Sequence, residues 1–226
     1  MHINLSTMKQ KDAFLNYEAN NYFNRNKDVE YIAEHDIALK VLKEYQAHPK
    51  HVLEIGCSYG YRLDAISRIF QDAKTIGIEP SSEAIRRGRA LFPGVNFIEG
   101  TADDLSPIET ASCDIVIIGF VLYVVDREIL FKVISEADRV LADGGILMII
   151  DFFSEKPARN PYQHIQDTQG YAFKQNYDDV FVSSKLYHLL DKRSLNHISK
   201  GPDWSDDYHN KYAMTTLRKD LSAGYK

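Results

Sequence analysis

The apolar positions of the chain follow two successive rhythms. Between residues 11 and 47, Phe14, Tyr17, Tyr22 and Phe23, then Ile32, Ile37, Leu39, Val41 and Leu42, recur at helical spacing with no glycine or proline among them. That period predicts two amino-terminal helices. Pro49 closes the region, and from His51 onward short apolar runs alternate with amphipathic stretches. Such alternation predicts parallel strands joined by crossover helices.

The first run is 51–55, followed by a glycine-containing turn and a helix through Ile66 and Phe70. A second strand at 75–79 leads to a helix that starts at Ser81, whose hydroxyl suits an N-cap, and stops at Pro93 and Gly94. Residues 95–98 read as a short third strand, and 114–120 as a continuous apolar run fit for the centre of a parallel sheet. The stretch 127–141 carries apolar residues near a 3.6-residue period and ends at Asp143-Gly144-Gly145, after which 146–153 forms the fifth strand. Residues 154–177, rich in proline and aromatics, are too long for an ordinary connection and read as a substrate-covering insertion. A helix ending near Leu190 and an antiparallel pair at 195–199 and 211–217 complete the reading. One domain is expected over 1–226, divided into a helical cap (1–48), a core (51–152), the insertion with its helix (153–194) and the carboxyl-terminal strand pair (195–226).

The chemistry is concentrated in Glu54-Ile55-Gly56-Cys57-Ser58-Tyr59-Gly60. A buried strand emerges there into a tight turn whose small or missing side chains let backbone approach a ligand, while the next helix points its amino end at the same spot. This block resembles the first motif of the class I S-adenosylmethionine-dependent methyltransferases, an acidic residue followed by Gly-x-Gly-x-Gly, with Ser58 in place of the middle glycine. A nicotinamide dehydrogenase would show Gly-x-Gly-x-x-Gly, and residues 56–61 are Gly-Cys-Ser-Tyr-Gly-Tyr. The alternatives carried forward are a nucleotide-binding oxidoreductase and a non-catalytic cofactor-binding subunit.

The resemblance implies an α/β, Rossmann-like, doubly wound sheet of seven mostly parallel strands with an antiparallel last strand. It also implies S-adenosylmethionine as cofactor, held by Glu54, Gly56, Cys57, Ser58 and Gly60. Glu79, nineteen residues after Gly60 and followed by Pro80, would take both ribose hydroxyls. In Gly100-Thr101-Ala102-Asp103-Asp104, Ala102 and Asp103 would meet the adenine, with Asp103 receiving its amino group. Gly119 and Phe120 would offer carbonyls to the methionine amino group, and Tyr123 stands where many relatives place a histidine facing the reaction centre. In Tyr22-Phe23-Asn24-Arg25-Asn26, Tyr22 would fold over the cofactor and Arg25 would engage a carboxylate.

A hydroxyl acceptor needs a base, and His164 in the insertion is the first choice, ahead of His188 and His197. The segment Asn160-Pro161-Tyr162-Gln163-His164 is similar to ones in methyltransferases of bacterial surface polysaccharide and nucleotide-sugar pathways, so a small molecule or activated carbohydrate is the expected substrate. With 27 basic and 32 acidic residues among 226, nothing favours nucleic acid as partner, and no Pro-Pro-aromatic motif follows the fourth strand. Two cysteines without ligand spacing suggest no metal. The start of the chain lacks a secretory pattern and no run approaches a membrane span, which suggests a cytoplasmic protein. Oligomeric state leaves no mark in the composition.

Overall fold

The computed structural model describes residues 9–165 and 170–222. The eight amino-terminal residues read for a leader therefore lie outside the described residues. Helices are α1 (Gln10–Ala13), which runs through a π-helical turn (Phe14–Glu18) into α2 (Ala19–Asn26), then α3 (Ile37–Glu44), α4 (Tyr61–Ile69), α5 (Ser82–Leu91), α6 (Leu130–Val140) and α7 (Asp179–Ser183). Strands are β1 (His51–Ile55), β2 (Lys74–Glu79), β3 (Asn96–Glu99), β4 (Cys113–Gly119), β5 (Leu141–Phe152), β6 (Ala158–Pro161), β7 (Tyr171–Lys174), β8 (Tyr187–Asn196) and β9 (Lys211–Lys219).

Seven strands form one sheet in the order β3-β2-β1-β4-β5-β9-β8. Only β9 runs against the others, because it pairs antiparallel with both β5 and β8. This is the expected Rossmann-like arrangement, with β4 at its middle. Strand periodicity divides the core between the two faces. Leu53, Ile55, Val116, Ile118, Leu147 and Leu217 pack against Val133, Ala137 and Val140 of α6. Val52, Ile115, Ile117, Met148 and Met214 pack against α3, α4 and α5. Both faces are thus covered, which is why strands β1 and β4 read as unbroken apolar runs. Asp36 caps α3 by accepting from Ala38 N (2.9 Å) and Leu39 N (3.2 Å), and Ser81 caps α5 by accepting from Ala84 N (3.1 Å). Among the described residues no helix is long and apolar enough to cross a membrane.

Three expectations need correction. The helix read to Leu190 stops at Ser183, and the strand read at 195–199 is β8, which begins at Tyr187 and ends at Asn196. β8 is an edge strand, largely open to solvent, with a register shift between Leu189 and Asp191 that breaks its alternation. Residues after it turn instead, because the Asn196 side chain accepts from Ile198 N (2.9 Å) and Ser199 N (3.0 Å). The fifth strand starts at Leu141 rather than 146, with Asp143-Gly144-Gly145 absorbed beside a register shift opposite Cys113 and Ile115. The long 154–177 segment holds its own antiparallel hairpin, β6–β7.

Leu217 of β9 is fully buried beneath the carboxyl-terminal half of the sheet. Leu217→Ala should cost about 2–5 kcal/mol, seen as a lower urea midpoint with an unchanged denaturant slope; a loss under about 0.5 kcal/mol would show that β9 is not packed as described.

Candidate functional site

The carboxyl ends of β1, β2 and β4 and the turn after β3 open onto a cavity of about 460 Å³. Its floor is the turn after β1. Gly56 sits at φ +77°, and a Cβ there would lie 2.4 Å from Val121 Cγ2 and 3.2 Å from the Gly119 carbonyl oxygen. Gly60 has φ +83°, and a Cβ would meet the Phe97 ring at 2.4 Å. Ser58 between them adopts φ +50°, the left-handed conformation that its substitution for glycine demanded. Cys57 turns away into the core, 2% exposed, where burial pushes its thiol well above the ordinary value. It is packing rather than a nucleophile.

Glu79 at the end of β2 is the site's fixed acceptor. Its Oε2 accepts from Ser58 N and its Oε1 from Ser81 N, each at 2.9 Å, so one carboxylate ties the β1 turn to the start of α5. Burial raises its pKa to about 7, outweighing those two backbone bonds, which act to lower it. Glu54, one strand away, is also buried and raised by burial. Its Oε1 is paired with Arg62 Nη1, while Arg62 Nε donates to Asp36 Oδ2 at 2.8 Å. The other oxygen of Glu54, Oε2, has no partner among the described residues.

A second carboxylate mirrors Glu79. Asp151 at the end of β5 accepts from Leu122 N (2.7 Å) and, at 3.3 Å, from Tyr123 N, and burial lifts its pKa to about 7. It thereby fixes the turn that carries Tyr123. The same turn is tied by Arg127 Nη2, which donates to Leu122 O (2.6 Å) and Val125 O (2.7 Å), and packs against Tyr177, whose single hydroxyl proton has Phe173 O (2.8 Å) and Leu122 O (3.1 Å) as alternative acceptors. Phe120 before it is held at φ +53°, unusual for a bulky residue, with its N–H donating to Ile150 O at 2.7 Å.

Aromatic rings make much of the cavity wall: Phe14, Tyr22, Tyr59, Phe120, Tyr123 and the imidazole of His197. His197 packs between Phe120 (5.6 Å between centroids) and Phe152 (5.5 Å), and burial, reinforced by the charges of Lys200 and Lys174, lowers its pKa below the usual imidazole value. The amino-terminal helices roof the cavity. Gln10 Nε2 donates to Val124 O (2.6 Å) and Tyr171 O (2.8 Å), its Oε1 accepts from Tyr171 N (2.8 Å), and Asn20 Oδ1 accepts from Ser81 Oγ (2.7 Å).

Of the residues singled out from sequence, Gly56, Ser58, Glu79, Pro80, Ala102, Asp103, Gly119, Phe120, Tyr22 and Tyr123 line this cavity. Glu54, Cys57 and Gly60 lie behind its floor. The Asp103 carboxylate is met by Lys11 at 2.8 Å and Lys132 at 3.5 Å; burial would raise it, but the bonds from Lys11 and Thr101 hold it below the usual carboxylate value. Arg25 and His164 do not line the cavity. The Arg25 guanidinium is paired with buried Glu18, and His164 is exposed beside the outer edge of Tyr162. Of the two weaker histidines, His197 is in the cavity, whereas His188 faces Asp220 at 3.7 Å on the far end of the sheet. Asp151 and Arg62 went unnoticed in the sequence. A carboxylate closing an apolar strand was the signal for Asp151, the same one that marked Glu79.

Residues 52–145 match the family of methyltransferase domains. Among curated proteins, the chain is 34% identical over 123 residues to the ubiquinone/menaquinone biosynthesis C-methyltransferase of Campylobacter jejuni, covering 50% of this chain and 49% of that one. It is 32% identical over 104 residues to the fatty-acid O-methyltransferase of Mycolicibacterium smegmatis, covering 45% and 37%. The chain thus spans about half or less of the length of these relatives. Among solved structures, the 1,6-didemethyltoxoflavin-N1-methyltransferase of Burkholderia thailandensis, with bound 1,6-didemethyltoxoflavin and S-adenosylhomocysteine, superposes with a TM-score of 0.72 at 15% identity. The match covers 97% of this chain and 93% of that one. That likeness establishes the fold.

The Glu79 shift has a measurable consequence. Between the ordinary carboxylate value of 4.5 and about 7, the folded protein keeps a proton that the unfolded chain has lost. This contribution to stability therefore falls as pH rises through that window and is level above it. The difference in unfolding free energy between wild type and Glu79→Gln should change across pH 4.5–7 in that direction, by roughly 3 kcal/mol at most. A pH-independent difference would refute the raised pKa.

Proposed function

Residues 52–145 are a methyltransferase domain of the class I, S-adenosylmethionine-dependent kind, and from that premise we propose that the protein transfers a methyl group from S-adenosylmethionine to an oxygen or nitrogen of a small molecule. The observation that carries the reading is the clamp of Glu79 across the β1 turn, with Gly56, Ser58 and Pro80 opening beside it onto the cavity. Neither Gly56 nor Gly60 has room for a side chain, and Gly56, Ser58 and Tyr59 line the cavity.

The residues present fit the cofactor. Glu79 keeps lone pairs for two ribose hydroxyls after its backbone bonds are made. Glu54 sits behind the cavity floor with Oε1 3.5 Å from where a Cβ on cavity-lining Gly119 would be and with Oε2 unpartnered among the described residues, so its carboxylate suits the methionine ammonium group. Ala102 and the Asp103 backbone bound the space for adenine, since the Asp103 side chain is already engaged by Lys11. Arg25, held by Glu18, is not assigned a cofactor role. When bound, S-adenosylmethionine supplies an electrophilic methyl on a sulfonium, so the protein must hold the acceptor in line and keep water out.

The roof formed by α1, the π-helical turn and α2 excludes water. His197 replaces His164 as the group that takes the acceptor's proton: its lowered pKa keeps the ring neutral near pH 7, and it stands in the cavity wall. The carbohydrate reading rests on residues 160–164, and none of these lines the cavity. The aromatic wall favours a flat, largely apolar acceptor instead.

Incubation with isotopically labelled S-adenosylmethionine and a fractionated small-molecule extract tests the reading. A labelled small-molecule product, heavier by one CH₂, is expected; label in no fraction, from protein that binds S-adenosylhomocysteine, would leave a binding subunit as the answer. With that product as assay, His197→Gln should lower kcat by roughly 10²-fold. An unchanged kcat would remove His197 from the proton path.

A further inference from the structure

Lys174 ends β7 almost out of solvent, 8% exposed, and the reaction as described makes no use of it. Lysine is seldom buried without a charged partner. Here the amine donates to two consecutive carbonyls of the connection between β8 and β9, Tyr208 O at 3.1 Å and His209 O. It also lies 4.6 Å from the centroid of the Phe152 ring. Asp207 is the acidic group whose charge acts on it, and the Asp207 Oδ1 accepts from His209 N at 2.8 Å. Burial draws the Lys174 pKa below its ordinary value, while carbonyl oxygens and an aromatic ring favour its charged form.

The same connection carries His197. The His197 backbone N–H donates to Asn210 O at 2.6 Å, the carbonyl that follows the two held by Lys174. Its ring centroid lies 5.5 Å from that of Phe152, 5.6 Å from Phe120 and 6.2 Å from Tyr212. Phe152 therefore meets both the ammonium and the imidazole. We propose that Lys174 is a positioning residue for His197: it ties the end of the β8–β9 connection to the β6–β7 hairpin, seats the imidazole on Phe152, and fixes a positive charge against that ring, so that the imidazole meets the methyl acceptor without a proton.

The proposal rests on the reading of His197 as the group that takes the acceptor's proton, and adds what keeps that group ready. As the acceptor oxygen or nitrogen bonds to the methyl, the carbon–sulfur bond breaks with its electron pair left on sulfur, and the O–H or N–H proton passes to the imidazole. A fixed cation nearby disfavours imidazolium, so the proton is handed on to water, to which His197 is exposed. The titratable groups facing the imidazole are Lys200 on its own connection, Lys174 on β7 and Tyr212 on β9. Tyr123 packs on Phe152, and Asp151 precedes Phe152 in β5. Burial, Lys200 and Lys174, in that order, lower the His197 pKa. Lys200 is exposed, where salt screens it, whereas Lys174 is buried and held at two carbonyls.

The test is the titration of His197, followed by NMR on protein carrying carbon-labelled histidine, with His197→Gln identifying the resonance. In the wild type the midpoint should lie below 6.5. Lys174→Met and Lys174→Gln should each raise it by about half a pH unit or more, about a threefold change in proton affinity, whereas Lys174→Arg should leave it near the wild-type value. The difference should persist at about 0.5 M salt. Affinity for S-adenosylhomocysteine should stay unchanged throughout. With the labelled product as assay, the acid limb of kcat should move to higher pH in the two neutral variants by the same amount as the midpoint.

Three results overturn the proposal: a wild-type midpoint at or above 6.5, a midpoint that stays put in a folded neutral variant, or an equal rise with Lys174→Arg. Lys174→Gln keeps an N–H donor for the connection and serves where the methionine variant folds poorly. Should neither fold, the wild type at about 0.5 M salt decides. A midpoint that returns to 6.5 assigns the effect to Lys200 and overturns the proposal, and one that stays lower upholds it. An unchanged kcat in His197→Gln would instead sink the reading on which the proposal rests, while the titration, which needs no acceptor, reports on Lys174 by itself.

Discussion

The site depends on one carboxylate being held where no water can replace its partners. Glu79 receives the N–H groups of Ser58 and Ser81, each at 2.9 Å, and so fixes the end of β2 to the β1 turn and to the first residue of the α5 cap. Without it, the left-handed Ser58 would lose the acceptor that holds its backbone, and the buried Ser81 N–H would lose its partner. Burial, which pulls this group toward protonation near neutrality, leaves it responsive to any ligand that donates hydrogen bonds. Asp151 repeats the device one strand beyond β4, for the turn that carries Tyr123. Two carboxylates, at the ends of β2 and β5 on either side of β1 and β4, thus fix the turns that shape the floor and one wall of the cavity.

Against these, the surface ion pairs count for little. Lys9 and Glu128 meet at 2.9 Å but leave 70% and 76% of their side chains in solvent, where screening leaves such a pair little weight in stability. The Glu54–Arg62–Asp36 group is different, since all three side chains are 12% exposed or less. It joins β1, α4 and the α3 cap beneath the cavity, and removing its guanidinium would strand two buried carboxylates. The roof is tied on by a neutral group: Gln10 uses both ends of its amide to bridge the turn after β4 and the β7 hairpin. Lys11 of α1 adds a charged tie to the same roof, meeting Asp103 at 2.8 Å.

Strands β1, β2 and β4 were legible because their burial leaves a plain record in the sequence, and 75–79 ended on its acidic residue where the structure ends β2. The Gly56–Gly60 turn was equally legible, since steric need fixes glycine at its ends. β8 was not, because an edge strand with one paired side, a bulge and the polar run Asp191-Lys192-Arg193 carries no alternation. His197 was ranked below His164 for a further reason. Its place in the cavity wall is set by Phe120 and Phe152, residues far away in the chain, and no local pattern records such a meeting. His164 looked better placed because it follows the fifth strand, but the hairpin turns it outward.

The most direct measurement of the central claim is a crystal structure of the chain with S-adenosylhomocysteine. The account requires the nucleoside to lie against the Gly56–Gly60 turn with its ribose hydroxyls within hydrogen-bonding distance of Glu79, the Ser58 and Ser81 contacts being retained. A nucleoside seated elsewhere, or a ribose with Glu79 turned away from it, would contradict the account.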